Sequence, residues 1–384
     1  MKFIIRKDEI LDVLSKVQGI TGRKSNLAIT TNILISTNNY GITIIATDLE
    51  TGYEGLYSAT IETQGKIAIN ARKFYEIVRE FPSDEIHVEE FENHWIKISN
   101  EKVEYNIVGM NPDDFPETPQ IEDIEFINID SNVFKKMIDR TVIITGASDE
   151  KRAHIIGIYF EVIHKVDKNI IRMVSTDGNR LSKVDCFYDK DITLPEGSNI
   201  IIPKKGINEA IKFLDPEGTV KIGFKNNNFI IKKEAETIII RLLEGEFPEY
   251  SEIIKKGDSH EIHMDRGLFL MMLKRMSIFY SEDYKGVIFN FSDNKLFINA
   301  VNPDFGESKE DMVIDFKGDP IEVAFNPRYF IETLNVIDAE KVVINIIDEE
   351  KPCMIEGEKD NTFLSIIMPM RLWRKNNTYM MLIT

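Results

Sequence analysis

The same order of motifs occurs three times along this chain of 384 residues. Each time, a short strand runs into a helix, a hydrophobic strand ends in an Asp or Asn turn, and another strand runs into a second helix. The turn residues Asp48, Asp177 and Asn302 are 129 and 125 residues apart, and Phe115 and Phe247 of a shared Phe-Pro-Glu motif are 132 apart. Matching order at matching spacing indicates homologous repeats. We predict domains over residues 1–124, 125–255 and 256–372, followed by a C-terminal extension over residues 373–384.

Each repeat combines several strands with two helices. The strands alternate apolar and polar residues, as in EIHVEEF and HWIKIS, which is typical of half-buried strands. Ser131 and Asn326 suit helix N-caps, and Pro203 and Pro327 suit first helical turns. The pattern predicts an α+β fold with mostly antiparallel strands and with helices on one face of the sheets. Six helices are predicted, over residues 7–16, 71–80, 132–140, 204–214, 266–276 and 326–335.

Charge is distributed unevenly along the chain. The whole chain has a net charge of −17, whereas the six predicted helices are together net positive. Two interpretations are open: helix surfaces simply favour Lys and Arg, or the helices share one surface that meets a polyanion. Phosphate contacts made by such a surface would be independent of base sequence. Repeats with all helices on one side form an arc, which two chains joined head to tail can close into a ring.

The composition argues against several other classes of protein. No apolar run approaches the roughly 18 residues of a membrane-spanning helix, so we expect a cytoplasmic protein with no membrane partner. Cys186 and Cys353 are too few for a disulfide framework or a Cys-rich zinc site. His260 and His263 form an H-x-x-H pair with no further ligand beside it in sequence. We therefore expect no metal and no cofactor.

Five short phrases carry a specific resemblance to a known family. They are ATDLE from Ala46, ARKF from Ala71, STDGNRL from Ser175, EFPEY from Glu246 and MPMRL from Met368. In this order, over residues 1–372, the chain resembles the beta subunits of bacterial DNA polymerase III, the sliding clamps. The resemblance implies a ring of two subunits and six clamp domains, with helices inside and sheets outside. It also implies a non-enzymatic processivity factor that encircles duplex DNA and tethers the replicative polymerase, the clamp loader and other proteins with a clamp-binding motif.

The same resemblance implies three sets of site residues. The residues that face DNA would be Arg23, Lys24, Arg72, Lys73, Arg152, Lys204 and Lys205. The residues around a partner-peptide pocket would be Ile155, Thr176, Gly178, Arg180, Leu181, Pro248, Ile253, Met368, Pro369, Met370, Arg371 and Leu372. The dimer interface would join Tyr105 of one subunit to Ile278 and Phe279 in domain three of the other.

Two further hypotheses concern the turn at Asp177 and the C-terminal extension. An oligomeric enzyme could act at the Thr176–Asp177 turn, but the counterparts Asp48 and Asn302 indicate a repeated turn cap with a structural role. The extension WRKNNTYMMLIT is too apolar for an ordinary solvated tail. It is either a frayed terminus or a tethered segment that folds back over the pocket.

Overall fold

The computed structural model describes residues 1–22, 27–119, 123–144, 152–166, 168–188, 194, 199–279, 286–375 and 378–381. Its internal contacts divide the chain into two compact units. Unit 1 comprises Met1–Lys135, Ile192–Ser198 and Ile202–Leu243, and unit 2 comprises Lys136–Asp191, Asn199–Ile201 and Glu244–Thr384.

The helices follow the sequence prediction closely. The described part contains α1 (Lys7–Thr21), α2 (Ala71–Glu80), α3 (Ser131–Val142), α4 (Ala153–Ile156), α5 (Lys204–Ala210), α6 (Arg266–Met276) and α7 (Pro327–Asn335). All six predicted helices are present, and α4 is an additional single turn. No helix in these ranges is both long enough and apolar enough to cross a membrane.

The predicted ranges begin at the observed first residue of α1, α2, α5 and α6, and they are shifted by one residue at α3 and α7. Pro327 opens α7, whose cap Asn326 accepts a backbone N–H as expected. The Ser131 prediction is wrong, because the carboxylate of Asp130 accepts the Val133 N–H at 2.9 Å and Ser131 is already the first helical residue. Aspartate caps helices as well as serine does, so sequence alone favoured neither neighbour. Pro203 precedes α5 and lies at its capping position, not in its first turn.

The strands form antiparallel sheets. In chain order they are β1 (Lys2–Arg6), β2 (Asn32–Asn38), β3 (Gly41–Thr47), β4 (Thr51–Tyr57), β5 (Thr60–Thr63), β6 (Lys66–Asn70), β7 (Glu85–Glu90), β8 (Trp95–Ser99), β9 (Glu104–Val108), β10 (Ile127–Asp130), β11 (Gly157–His164), β12 (Asn169–Thr176), β13 (Arg180–Tyr188), β14 (Ile200–Pro203), β15 (Thr219–Lys225), β16 (Asn228–Lys233), β17 (Glu236–Arg241), β18 (His260–Asp265), β19 (Val287–Ser292), β20 (Lys295–Asn302), β21 (Gly306–Val313), β22 (Ile321–Phe325), β23 (Lys341–Ile346), β24 (Cys353–Gly357), β25 (Phe363–Ile367), β26 (Leu372–Lys375) and β27 (Thr378–Met381).

Unit 1 contains a five-stranded sheet, ordered β5-β1-β7-β8-β9, and an eight-stranded sheet, ordered β10-β15-β16-β17-β4-β3-β2-β6. Unit 2 is built on an eight-stranded sheet, ordered β14-β11-β12-β13-β25-β24-β23-β18, and a four-stranded sheet, ordered β21-β20-β19-β22. Strands β26 and β27 of the C-terminal extension pair with each other as a hairpin.

Each eight-stranded sheet joins strands of two sequence repeats. In unit 1, β17 of the second repeat pairs with β4 of the first, with Ile239 opposite Gly52. In unit 2, β13 of the second repeat pairs with β25 of the third, with Leu181 opposite Ile366. The apolar residues at both junctions are buried, so separating the strands would expose hydrophobic surface as well as break backbone hydrogen bonds.

The helices pack through apolar faces onto the sheets. The buried residues of α1 include Ile10, Val13, Leu14 and Val17, at the spacing of one helical face. That helix contacts α2, β3 and β4, and α6 contacts α7 in unit 2. The predicted α+β fold is therefore confirmed.

Candidate functional site

The start of α2 presents two basic residues to solvent. Asn70 accepts the Lys73 N–H at 3.0 Å and so begins the helix at this point. The side chains of Arg72 and Lys73 are 80% and 67% exposed, and both bond the carboxylate of Glu76, at 3.1 and 2.8 Å. The bonds from Lys73 and Arg72 hold the pKa of Glu76 below its ordinary value. Exposed pairs of this kind are weak, so a polyanion could compete for both cations.

The two lysines at the start of α5 have different environments. Lys205 is half-exposed, and its ammonium lies 3.1 Å from a carboxylate oxygen of Glu50 and 3.6 Å from one of Asp48. Lys204 is only 7% exposed. It lies three residues before the buried Ile207, on the helix face that packs inward. This burial contradicts the prediction that Lys204 faces DNA.

Of the other predicted DNA-facing residues, the structure describes Arg152. Arg152 is exposed immediately before α4, and its carbonyl accepts the backbone N–H groups of Ile155 and Ile156. Arg23 and Lys24 lie outside the described residues.

The turn between β12 and β13 is built by its own side chains. One oxygen of Asp177 accepts the backbone N–H groups of Asn179 and Arg180, at 3.0 and 3.1 Å. Thr176 accepts the N–H of Gly178 at 3.1 Å, and Gly178 takes a positive φ of 90° that glycine adopts at no steric cost. The predicted turn-cap role of Asp177 is therefore confirmed.

Arg180 is held inside unit 2 by several groups. Its guanidinium bonds the second oxygen of Asp177 at 3.0 Å, pairs with Glu332, and lies 4.2 Å from the ring centre of Tyr329. The residue is only 6% exposed. Within the predicted pocket set, Arg180 therefore orients the turn and offers little surface to a ligand.

An apolar cluster lies beside this turn. Leu181, Val174 and Ile366 are buried together with Tyr250, and the ring of Phe247 packs against them. Further along the chain, Ile253 and Met368 remain 42% and 39% exposed. The Met368 N–H donates to the carbonyl of Asn179 at 2.9 Å, which joins the end of β25 to the turn. A buried floor with exposed apolar side chains near it suits a hydrophobic anchor.

The remaining predicted pocket residues lie near the ends of their elements. Ile155 is buried on α4, which contacts β11 and β12. Pro248 and Arg371 are exposed, Pro369 and Met370 are half-buried, and Leu372 begins β26.

A buried polar network supports the segment that contains Tyr250. Arg172 donates two hydrogen bonds to Asp185, at 2.6 and 2.9 Å, and Lys183 donates a third at 2.8 Å. Tyr250 bonds Glu161, whose carboxylate also lies 3.7 Å from Arg172. Sequence reasoning missed this network. The available signal was the presence of charged residues in the middle of otherwise apolar strands.

Of the predicted interface residues, Tyr105 lies on an edge strand of unit 1, and Ile278 and Phe279 lie in a short 3-10 helix after α6 in unit 2. Tyr105 is on β9, the last strand of the five-stranded sheet, where Val108 is also 60% exposed. Ile278 is 75% exposed just after α6. Phe305, just before the edge strand β21, and Val313, its last residue, are 75% and 77% exposed. An edge strand flanked by exposed apolar residues is a template for association.

Comparison with known proteins gave consistent matches along the chain. The N-terminal, central and C-terminal domain models of the DNA polymerase III beta subunit match residues 1–119, 128–249 and 251–371. The beta sliding clamps of Chlamydia pneumoniae and Vibrio cholerae are each 27% identical over 97% of this chain, and over 99% and 100% of their own lengths.

Two solved structures are similar over their whole length. The DNA polymerase sliding clamp from Bacillus subtilis and the DNA polymerase III subunit beta from Pseudomonas aeruginosa are each 25% identical to this chain. Their TM-scores are 0.89 and 0.88, and each comparison covers 97% of this chain and 100% of the other.

Proposed function

Since this chain belongs to the DNA polymerase III beta subunit family, we propose which of its residues contact DNA, partner proteins and a second copy of the chain. The chain is a DNA polymerase processivity factor with three clamp domains. The observation that carries this function is the match of three successive domain models, in order, over nearly the whole sequence. We place its activity in the cytoplasm, where a bacterial DNA template lies.

Two copies join head to tail into a ring that encircles duplex DNA. The edge strand β9 with Tyr105 meets the edge strand β21 of the other copy, and Ile278 and Phe279 lie in the 3-10 helix that contacts β21. The exposed apolar residues at both edges support this joint, because strand addition combines backbone hydrogen bonds with burial of side chains.

The DNA-facing surface uses Arg72, Lys73, Lys205 and Arg152, with Arg23 and Lys24 as further members. Lys204 is omitted because it is buried. Phosphate contacts by exposed cations hold a duplex without reading bases, so the ring can slide. The strongly acidic remainder of the chain disfavours DNA on other surfaces.

The partner pocket lies around Leu181, with Ile253 and Met368 as exposed apolar contacts and the Thr176–Leu181 turn as its rim. It takes short peptides with hydrophobic anchors from the replicative polymerase, the clamp loader and other DNA-processing proteins. Flexible methionine side chains can adapt to several partner peptides.

We assign no catalytic role to the Thr176–Asp177 turn. Both carboxylate oxygens of Asp177 are engaged, one by two backbone N–H groups and the other by Arg180. A general base needs an accessible lone pair near its substrate. The arrangement supports a turn cap in a protein that tethers other proteins to DNA.

The test of this function is topological linkage to DNA. The protein is loaded with a clamp loader onto a nicked circular plasmid and separated from unbound protein by gel filtration. We expect retention on the circle and rapid loss when a restriction enzyme linearises it. Equal retention on circular and linear DNA would show ordinary surface binding and contradict the ring.

A further inference from the structure

The turn between β3 and β4 in unit 1 has the same construction as the turn at the proposed partner pocket. One oxygen of Asp48 accepts the N–H groups of Glu50 and Thr51, at 3.0 and 2.6 Å. Thr47 accepts the N–H of Leu49 at 3.0 Å. The Arg241 N–H donates to the carbonyl of Glu50 at 2.8 Å, as the N–H of Met368 does to Asn179 in unit 2.

Strand register extends this equivalence beyond the turn. Gly52 lies opposite Ile239 in unit 1, and Leu181 lies opposite Ile366 in unit 2. The Phe-Pro-Glu segments correspond as well. In unit 1, Phe115 packs against Leu34 and Ile45, which are paired across β2 and β3. In unit 2, Phe247 packs against the cluster that contains Tyr159 and Val174, which are paired across β11 and β12.

A cavity of about 300 Å³ lies at this position in unit 1. Thr47, Gly52 and Ile239 form part of its wall, with Pro116 on one side and Arg241 on another. Each of these residues has a counterpart at the same repeat position of the proposed partner pocket. In the order just given, the counterparts are Thr176, Leu181, Ile366, Pro248 and Met368.

Three substitutions between the repeats change the chemistry of this cavity. Gly52 stands where the partner pocket has Leu181, so a side-chain volume is missing from the floor. A Cβ atom at Gly52 would lie 3.8 Å from the Cβ of Ile239, an ordinary contact, so the space is open. Arg241 stands in place of Met368 and puts an exposed cation on the rim.

Leu49 is the third difference, and it stands where the partner pocket has Gly178. Its φ of 75° is in the left-handed region that branched side chains avoid, yet the side chain is 51% exposed. A strained residue that holds an apolar side chain at the rim of a cavity is a reason to look for a ligand.

We propose that this cavity is a second peptide-binding pocket, the internal-repeat counterpart of the partner pocket, for an extended peptide with an aliphatic anchor and one carboxylate. The inference rests on the proposed function, since it takes the partner pocket of unit 2 as its template. The aliphatic side chain fills the space above Gly52 and contacts Leu49 and Ile239, and the carboxylate pairs with Arg241.

The charges around the cavity favour one carboxylate on the peptide and not several. Glu50 is paired with Lys205, so its charge is partly compensated. Glu117 also lines the cavity and is exposed, and it would repel a second acidic group. The guanidinium of Arg241 forms no hydrogen bond or ion pair with a described residue, so none of the described residues competes with a peptide carboxylate for it.

The test uses methyl NMR on the full-length protein labelled at isoleucine and methionine methyl groups. The probe is the capped pentapeptide Gly-Leu-Asp-Leu-Gly, and its matched control has Asn in place of Asp. Ile239 reports on the cavity, and Met368 reports on the partner pocket. We expect saturable changes in the methyl chemical shift of Ile239 with the Asp peptide. The Asn peptide should bind about tenfold more weakly, because it cannot form the charge-assisted pair with Arg241.

Two variants make the test specific. Gly52→Leu restores the side chain found in the other repeat and should abolish the Ile239 response, while the Met368 response remains. Arg241→Met should weaken the Asp peptide about tenfold and leave the Asn peptide unchanged. Methyl groups remote from the cavity serve as the folding control in both variants.

The possible failures are distinguishable. An Ile239 signal that does not move overturns the inference, and a Met368 response on its own leaves the proposed partner pocket intact. An Ile239 response that persists in Gly52→Leu overturns it as well, because the peptide would then bind elsewhere. Equal affinity for the Asp and Asn peptides overturns the role of Arg241.

Discussion

At the scale of single residues, side-chain direction matters more than residue type. Lys204 and Lys205 are neighbours with the same charge, but one lies on the buried face of α5 and the other is half-exposed beside Glu50. Arg180 and Arg72 differ in the same way, because one is enclosed by unit 2 and the other is 80% exposed. A basic residue on a helix or at a turn is therefore a DNA contact only where the packing leaves it exposed.

Charge reversal at the two α5 lysines should give different defects. We expect Lys205→Glu to reduce retention on circular DNA at moderate salt with little change in melting temperature. Lys204→Glu should lower the melting temperature, because it places a carboxylate at a buried position of the helix. Thermal melts and plasmid-retention assays on both variants check this. An unchanged melting temperature for Lys204→Glu would contradict the buried placement.

The buried Asp185 should make stability depend on pH. Burial alone would raise the pKa of Asp185, but bonds from Arg172 and Lys183 lower it below the ordinary value. The stabilisation is present above the unfolded pKa of about 3.9 and is lost as the pH falls through the folded pKa. We expect Asp185→Asn to cost about 3 kcal/mol at neutral pH. The melting temperatures of wild type and variant should converge as the pH falls below 4. A difference that stays constant with pH would contradict this account.

At the scale of elements, two sheet edges and one hairpin lie at or next to the proposed contact surfaces. Strands β9 and β21 end their sheets, and exposed apolar residues lie beside both. The hairpin of β26 and β27 places Leu372 opposite Met381. The last strand of the extension is therefore adjacent to the end of the segment that forms the proposed partner pocket.

Removing the apolar side chains after α6 should separate the subunits. We expect Ile278→Ala combined with Phe279→Ala to give a folded monomer, because large apolar side chains at the centre of an interface usually contribute most of its energy. Sizing chromatography with light scattering measures the mass. Leu268→Ala, which truncates another exposed apolar residue earlier in α6, is the matched control and should remain dimeric. A dimer at micromolar concentration in the double variant would show that the joint is elsewhere.

Removing the extension should strengthen partner binding if the hairpin covers the pocket. A tether of a few residues gives a local concentration on the order of millimolar, so even a weak contact would compete with a partner peptide. We expect truncation after Leu372 to tighten the binding of a polymerase-derived peptide, measured by fluorescence polarisation. Equal affinities in the full-length and truncated proteins would rule out self-masking.

At the scale of the whole molecule, the net charge of the chain is negative, but exposed basic residues lie close together at the start of α2. The net charge of −17 would oppose DNA binding if it were evenly distributed. Arg72 and Lys73 at the start of α2 are exposed and share a single carboxylate, Glu76. Local charge, and not net charge, therefore determines which surface can meet phosphate.

Salt dependence should report how many of these cations touch DNA. Replacing Arg72 and Lys73 with Gln should reduce the slope of log affinity against log salt by about 0.9 for each lost phosphate contact. Fluorescence polarisation with a duplex oligonucleotide between low and moderate salt gives the slope. Lys317→Gln, in the loop between β21 and β22, is a control that should leave the slope unchanged. No change on replacing Arg72 and Lys73 would remove α2 from the DNA surface.

Much of the local structure was predictable from the sequence. The spacing of apolar residues located the six longer helices that the structure describes, and the three repeated turns were correctly interpreted as caps at Asp48, Asp177 and Asn302. The family was recognised from short motifs. These features depend on neighbours within a few residues, and such neighbours are visible in a linear sequence.

The tertiary structure decided which of these features lie close together in space. It paired β17 with β4, so that Tyr53 donates a hydrogen bond at 2.9 Å to Glu236, 183 residues further along the chain. It buried Lys204, enclosed Arg180, and left an open space above Gly52 where the next repeat has a leucine. The sequence by itself determined that one unit is repeated three times. Which repeats share a sheet, and which cavities remain between their side chains, depends on contacts between distant residues, and local pattern does not encode them.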